Sequence, residues 1–510
     1  MKTCLKIKAF LIFLCIPLLH INIAFESVFS RSIQIVRKGY KHFNGATLYF
    51  FYIIPYSKIV DNKYVLLKKQ WMNSNLRKRS NRNICEIKTY CNVYKDINDN
   101  ADIYEKGNIL CNNKMKLIMQ MLNRTRWYDF KFFSPAKINL FLKLKEKKET
   151  YNELSTLMHS INLGDNIYIT ALSKEDQIKL RQLLFPCSSD DFLTISKNKE
   201  YGIMHENKKA NQKNDEKHTQ YYFNYPLNDD NIIIKVLKRY REELSIKDDT
   251  RFLVHVNKRI PIFSGVGGGS SNGATLFYFL EKYFYKYLKS NESKNKFLKK
   301  IGSDISFFSS SGFAYCTGKG NDVVDLYDAQ ATISGKRIYI FQVDEGLSSK
   351  SVYENVNYSK IVQYSPVTLL KHFIINSNSN NIIKIVEKKE HIYLRTFVSL
   401  DNTDVQNICI NDLEHSAFFL FKTLKDLKDL LIKQNIFDAV TMSGSGSSLF
   451  SITKNSGMDI NLEKIKVENI IKQVREKLNV NIRVYLCDPL RKQQNYWYKP
   501  EKLAEVIKKK

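Results

Sequence analysis

The sequence predicts a folded chain that mixes strands and helices behind a basic N-terminal extension. Three observations lead there. Of its 510 residues, 44% are hydrophobic and 13% aromatic, which is ample material for a packed core and argues against a wholly disordered chain. From about residue 128 onward, stretches with the two-residue alternation of strands interleave with stretches of helical spacing. Finally, there is no fixed-period repeat of the solenoid kind. No apolar run reaches the ~20 residues of a membrane-spanning helix, apart from a shorter one at the N-terminus. Length alone allows about three domains.

Charge narrows the function classes. The formal net charge is +29. Residues 1–130 hold 22 Lys/Arg against 8 Asp/Glu, a surplus of 14. Much of the remainder lies in Lys/Asn-rich stretches such as Lys197–Lys217. That distribution fits a basic targeting segment plus compositional drift better than a nucleic-acid surface, which would cluster Lys/Arg with aromatics. The nine cysteines form no C-x-x-C pair, and no Cys/His group has zinc spacing. They read as reduced, mostly core residues of a cytosolic or organellar protein.

The elements follow in order. Lys2, Lys6 and Lys8 precede the apolar run Ala9–Leu19, the charge order of a signal peptide over 1–24. Arg31 to Val60 contains Arg31, Arg37, Lys38, Lys41 and Lys58 and no acid, the composition of a transit peptide within a poorly ordered extension over 25–128. Together they predict delivery through the secretory route to an apicoplast-type plastid stroma. In Ser134–Leu144, Ile138, Leu140, Leu142 and Leu144 alternate with Lys137, Asn139 and Lys143, a strand. Ile161–Thr170 reads as turn and strand, and Lys197–Gln220 as a disordered insertion. Asn231–Glu243 reads as a capped helix, Phe252–Val256 as a strand, and Leu276–Leu288 as a helix with one buried face, beginning after Asn272. Ile338–Val343 opens a second half as a strand. Tyr364–Glu390 reads as a loop insertion, Ala417–Gln434 as one helix, and Phe437–Ile452 as strand, glycine turn, strand.

The most informative segment is Pro261-Ile262-Phe263-Ser264-Gly265-Val266-Gly267-Gly268-Gly269-Ser270-Ser271. Four glycines in five positions let backbone N–H groups approach a bulky anion, and the helix beyond adds free N–H donors and a positive dipole end. A polyphosphate is the natural ligand, with Ser270 and Ser271 free to cap the helix, bond phosphate oxygens or touch Mg2+. The loop is not a Walker A loop. The nearest such candidate, Gly312 to Lys319, has five residues before Gly318 and carries Gly320 where Ser or Thr belongs. Nor is it a dinucleotide loop, because Ser270 stands at the last glycine position.

What remains resembles the second motif of the GHMP kinases. Further segments carry the resemblance in family order. Ser134–Leu142 resembles the first motif, in the version found in GHMP kinases that act on 4-diphosphocytidyl-2-C-methyl-D-erythritol. Tyr151–Met158, Ile301–Phe308 and Asn411–Glu414 resemble further segments of that branch, and Met442–Ser448 resembles the third motif. The set covers about residues 130–490 apart from insertions. It implies the two-domain α+β GHMP kinase fold, with a ribosomal-protein-like N-terminal domain over 129–335 (insertion about 175–225) and a ferredoxin-like α+β C-terminal domain over 336–500 (insertion about 357–393).

The same resemblance implies an ATP-dependent kinase of isoprenoid-precursor biosynthesis, with Mg2+ carried by ATP and no protein-bound metal. It implies a small-molecule partner, no nucleic acid, no membrane in the mature form, and a monomer or homodimer. The rival readings are a homoserine or mevalonate kinase, or a non-catalytic basic binding protein on the same fold. Phosphoryl transfer needs positioning, charge stabilisation and a proton acceptor. The family's catalytic aspartate matches Asp304, and its lysine matches Lys137. The loop Pro261–Ser271 would bind ATP. Asn139, Tyr151, Asn152, Gly444, Ser445 and Gly446 would bind the acceptor, with Tyr151 stacking on cytosine. The chain departs from the pattern at Thr150, Asn152, Phe263, Ser264, Gly273 and Ser306.

Overall fold

The computed structural model describes residues 118–507, with breaks at 150–151, 198–224, 376–382, 388–389 and 395–407 and at a few shorter positions, together with 33–43 and 46–55. The signal segment 1–24, the polar stretch 198–220 and Tyr151 lie outside the described residues.

Residues 1–92 and 93–510 are separate units. In the first, β1 (Ile33–Phe43) and β2 (Ala46–Pro55) pair as an antiparallel hairpin, inside the stretch expected as a poorly ordered extension.

The second unit contains two main sheets. The first has the order β5-β6-β4-β7-β8, with β3 paired to β4. Its strands are β3 (Phe130–Lys147), β4 (Asn152–Leu172), β5 (Phe192–Lys197), β6 (Arg251–Lys258), β7 (Phe313–Gly318) and β8 (Asp322–Asp325). β4 is long enough to pair with β7 through Leu154–His159 and with β6 through Asn166–Leu172. In β3, Asn139 faces Met158 and Phe141 faces Leu157, so Leu140 is an extra residue. This bulge resets the alternation. Lys143 therefore leaves the face it was expected to share with Lys137 and Asn139, and pairs with Asp412 at 2.7 Å.

Against this sheet pack α1 (Lys174–Leu180), α2 (Ile232–Glu243), α3 (Gly268–Phe284), α4 (Asn291–Lys299) and α5 (Ile305–Ser309). Asn231 caps α2 as expected, accepting from Ile233 N at 2.9 Å. The Ser173–Asp176 capping box starts α1, and β5 lies parallel to β6. Residues 174–197 thus carry a helix and a strand of the folded unit. Ile118 and Leu122 are buried with Leu180 and Phe192, so the fold begins before residue 129.

The second sheet is β14-β15-β10-β16-β17. It is built from β10 (Ile338–Val343), β14 (Phe437–Met442), β15 (Ser448–Thr453), β16 (Ile482–Cys487) and β17 (Glu505–Val506). The short strand β9 (Gln330–Ala331) precedes β10, and between β10 and β14 come α6 (Ser349–Glu354), a 3-10 turn (Tyr358–Lys360), α7 (Pro366–His372), β11 (Ile374–Ile375), and the hairpin of β12 (Ile383–Glu387) and β13 (Glu390–Leu394). Leu369 and Leu370 of α7 are buried, so the segment expected as loop contributes core. The expected single helix Ala417–Gln434 is two: α8 (Glu414–Leu420) and α9 (Lys422–Lys433), broken where Phe421 adopts a non-helical backbone. α10 (Ile460–Leu478) completes this layer. One apolar cluster joins Ile138, Leu157 and Phe313 of the first sheet to Ile340, Phe450 and Tyr485 of the second. The two halves of this unit therefore share a core.

Candidate active site

β3 carries Lys137 and Asn139 into the space between the halves. Lys137 N donates to Val266 O at 3.0 Å, which ties the strand to the glycine loop. Its Nζ donates to Asn139 Oδ1 at 2.5 Å and stands 3.5 Å from Asp304 Oδ2. The lysine side chain is 4% exposed and the aspartate 29%. The cation is therefore set behind a carboxylate that reaches solvent. Asp304 opens α5 without bonding its own helix N-terminus. Asn139 is buried; its amide donates to Thr156 Oγ1 at 2.9 Å, and Thr156 donates to Phe141 O at 2.6 Å. Both ends of the Asn139 amide thus engage protein, which orients Lys137.

The glycine loop is shaped by the opposite half of the unit. Gly265 has φ +74°, and a Cβ on it would lie 2.1 Å from Ser443 O. Gly267 has φ +77° and caps α3 without a side chain. Helix α3 starts at Gly268, four residues before the position of Asn272 expected to precede it. The N–H groups of Gly268, Gly269 and Ser270 are therefore the first-turn donors that lack an intrahelical acceptor. Ser271 is turned inward, its Oγ 2.8 Å from Ser134 Oγ, which leaves Ser270 as the half-exposed hydroxyl of the pair. Phe263 also takes a left-handed backbone, φ +53°. At Gly273 a Cβ would meet Ile232 Cγ2 at 2.4 Å, so the two isoleucines Ile232 and Ile305 occupy the space an alanine needs.

The β14–β15 turn closes the site. Ser443 Oγ donates to Gly265 O at 3.1 Å, and Ser448 N donates to Ser264 O at 3.2 Å. A Cβ on Gly444 would stand 3.3 Å from Lys137 Nζ. Ser445 Oγ lies 2.7 Å from Ser349 Oγ, and Gly446 N donates to Ser443 O at 3.0 Å. Gly444 thus sits beside Lys137, Gly446 lies against Gly265, and Ser445 faces α6. Asn152 is farther along, at the start of β4, and accepts from Tyr358 OH at 2.5 Å.

Several participants were not among the expected site residues. Asn411 holds the turn in place, donating to Met442 O and Gly444 O, each at 2.8 Å. Its neighbour Asp412 accepts from Lys143 and from Leu144 N; burial pushes its carboxyl up while Lys143 opposes that. Tyr353 of α6 has its phenol raised by burial and by the neighbouring Asp304 charge. Lys258 pairs with buried Asp165 at 2.5 Å beneath the first turn of α3, and Asp165 accepts from Arg259 N and Ile260 N, each at 2.8 Å. Only Asn411–Glu414 had a sequence signal, its motif; tyrosines and buried lysines carry none. Among the described residues, no group of three or more His, Cys, Asp or Glu could hold a metal.

Residues 231–314 match the model of the GHMP kinases N terminal domain. A 4-diphosphocytidyl-2-C-methyl-D-erythritol kinase of Protochlamydia amoebophila is 30% identical over 336 residues, which are 66% of this chain and 88% of the relative. The chain belongs to the 4-diphosphocytidyl-2-C-methyl-D-erythritol kinase family. A chloroplastic member of this family from Oryza sativa is also 30% identical, and the chain spans 63% of its length. A crystal structure of 4-(cytidine 5'-diphospho)-2C-methyl-D-erythritol kinase covers 70% of this chain and 99% of its own, at 18% identity and a TM-score of 0.44.

Proposed function

We propose that the protein transfers the γ-phosphoryl group of ATP to the 2-hydroxyl of 4-diphosphocytidyl-2-C-methyl-D-erythritol, a step in non-mevalonate isoprenoid-precursor synthesis. The observation that carries this reading is the Lys137–Asp304 pair beside the glycine loop, in a chain of this family. Asp304 accepts the hydroxyl proton as the oxygen attacks phosphorus and ADP leaves. Lys137, oriented by Asn139, stands 3.5 Å from the carboxylate and offsets charge on the transferring group. The N–H groups of Gly268, Gly269 and Ser270 and the α3 dipole hold the phosphates, while Pro261–Val266 form the remainder of the nucleotide loop. Mg2+ supplies charge neutralisation at the phosphates when it arrives with the nucleotide. Asn152, Tyr353, Tyr358 and Gly444–Gly446 line the acceptor side, and Tyr151 precedes Asn152 in the sequence.

The test is turnover by the full chain with ATP-Mg2+ against a panel of this acceptor, homoserine and mevalonate. The cytidylyl acceptor is the expected substrate, inhibited by cytidine nucleotides. The Asp304→Asn variant is expected to lose roughly 10²–10⁴-fold in kcat. Turnover of homoserine or mevalonate alone, or an unaffected Asp304→Asn enzyme, overturns the reading. ATP-independent, salt-sensitive RNA binding without kinase activity would favour the binding-protein alternative.

The chloroplastic naming of plant relatives and the basic N-terminal composition support residence in a plastid stroma, of apicoplast type. A fluorescent fusion of residues 1–128 should collect in the plastid, and cytosolic fluorescence would refute this.

A further inference from the structure

A cavity of about 440 Å³ opens between the 3-10 turn Tyr358–Lys360, the segment 409–415 and α9. It is not the cleft at Asp304. Its lining includes Lys143, which the bulge at Leu140 turns away from the face carrying Lys137 and Asn139, and none of Lys137, Asn139, Asn152 or Asp304 lines it. Its size suits a small organic molecule. The acids in the lining are already engaged. Asp412 accepts from Lys143 Nζ at 2.7 Å on one oxygen and from Leu144 N at 2.8 Å on the other. Glu414 accepts from Lys428 on both oxygens, at 2.9 and 2.7 Å, and on one of them also from Thr441 Oγ1 and Met442 N. Lys360 is exposed at the rim, and among the described residues no acid pairs with it. His415 Nε2 accepts from Asn357 N at 2.9 Å, so its neutral ring carries the proton on Nδ1. Among the acids and bases of the lining, what remains is a cation and a ring N–H.

The rest of the lining is largely apolar. The Tyr364 ring is exposed, Phe418 packs only in part against the core of the second half, and Ile361 and Ile410 stand with them. A bare anion would gain little from such walls, and a neutral apolar molecule would leave Lys360 and His415 unused. We propose that this cavity binds an amphiphilic organic anion, an apolar body carrying one phosphate or carboxylate headgroup. The headgroup meets Lys360 and His415, and the body lies against Tyr364 and Phe418. A lysine suits the rim because a compact charge on a flexible stem follows an anion without demanding one geometry. The site bears on the reaction through its wall. Asn411, part of that wall, donates to Met442 O and Gly444 O, and Glu414 accepts from Met442 N. An occupant therefore rests on the two residues that hold the β14–β15 turn.

Fluorescence titration of the full chain tests this with anilinonaphthalene sulfonate, an aryl anion, and with phenylnaphthylamine, the same rings without the charge. The sulfonate should bind saturably, and saturating ATP-Mg2+ should not displace it. Lys360→Glu should weaken it by about tenfold and Lys360→Arg by less than about twofold, while the uncharged probe responds to neither. The exposed position of Lys360 lets both variants fold, so a loss in Lys360→Glu alone reports the charge. Phenyl phosphate and octanoate separate the two headgroups: displacement of the sulfonate by either supports the site, and displacement by neither overturns it. A sulfonate affinity that Lys360→Glu leaves within about twofold also overturns the proposal. So does displacement by ATP-Mg2+, which would put the probe at the glycine loop instead.

Discussion

His255 and His159 show what burial does to single residues. His255 is enclosed between Thr194 Oγ1 at 2.9 Å and Ser196 Oγ at 3.0 Å, and burial lowers its imidazole to about 3. His159 donates from Nδ1 to Ser160 O at 2.7 Å, and burial, helped by Arg491, lowers it to about 4. Both titrate below the ordinary value of 6.5, so the unfolded chain binds protons that the folded chain refuses. The stability they contribute is therefore complete above pH ~6.5 and is lost as pH falls from there toward 4 and 3. Urea midpoints should drop between pH 7 and pH 4.5, and His255→Gln, which keeps hydrogen-bonding capacity, should drop less over the same interval. Equal drops in the two proteins would show that His255 does not carry the effect.

At the scale of elements, the nucleotide loop is formed by steric exclusion as much as by composition. Gly265 is required by the carbonyl of Ser443, contributed by a strand turn 178 residues later in the chain. By contrast, a Cβ on Gly269 would have its nearest neighbour, Ile232 Cδ1, at an ordinary 3.6 Å, so packing makes no demand for glycine there. The difference explains why a run of glycines suggested a phosphate loop without revealing which of them is sterically obligatory. The same limit applies to helices. The apolar spacing of Leu276, Leu280 and Phe284 marked α3 correctly, yet its start at Gly268 is set by the left-handed Gly267 cap rather than by propensity, which glycine lacks. The break between α8 and α9 was invisible for a related reason, since both helices keep apolar spacing across Phe421.

At the scale of the whole unit, the site depends on a joint between two sheets. Asn411 is the clearest part of that joint. It is nearly buried, donates to two carbonyls of the β14–β15 turn, and accepts from Leu413 N at 2.9 Å. Beside it Leu142 N donates to Ile410 O at 2.8 Å, and Asp412 N to Leu142 O at 2.9 Å, so the segment 410–412 clips β3 to the turn that touches Lys137. Replacing Asn411 by Ala strands two buried carbonyls and should cost roughly 2–3 kcal/mol of unfolding free energy. It should also lower kcat, because the Gly444 backbone loses its brace. Chemical denaturation and kinetics on one preparation check both; an unchanged midpoint would mean that the clip is not stabilising.

Much was readable without coordinates. The Gly265–Ser271 run pointed to a phosphate site by its own composition, whereas Lys137, Asp304, Asn411–Glu414 and Gly444–Gly446 stood out through the resemblance to the GHMP kinases. Strands β6, β10, β14 and β15 and helix α2 followed from local periodicity, which records burial on one face. Only the tertiary structure decided that Asn139 orients Lys137 instead of facing outward, that Ser271 turns to Ser134, and that Lys143 belongs to Asp412. Those facts are contacts between segments far apart in the chain, or consequences of a one-residue bulge. Sequence spacing encodes which face a side chain takes within its own element, but not which distant group it meets there.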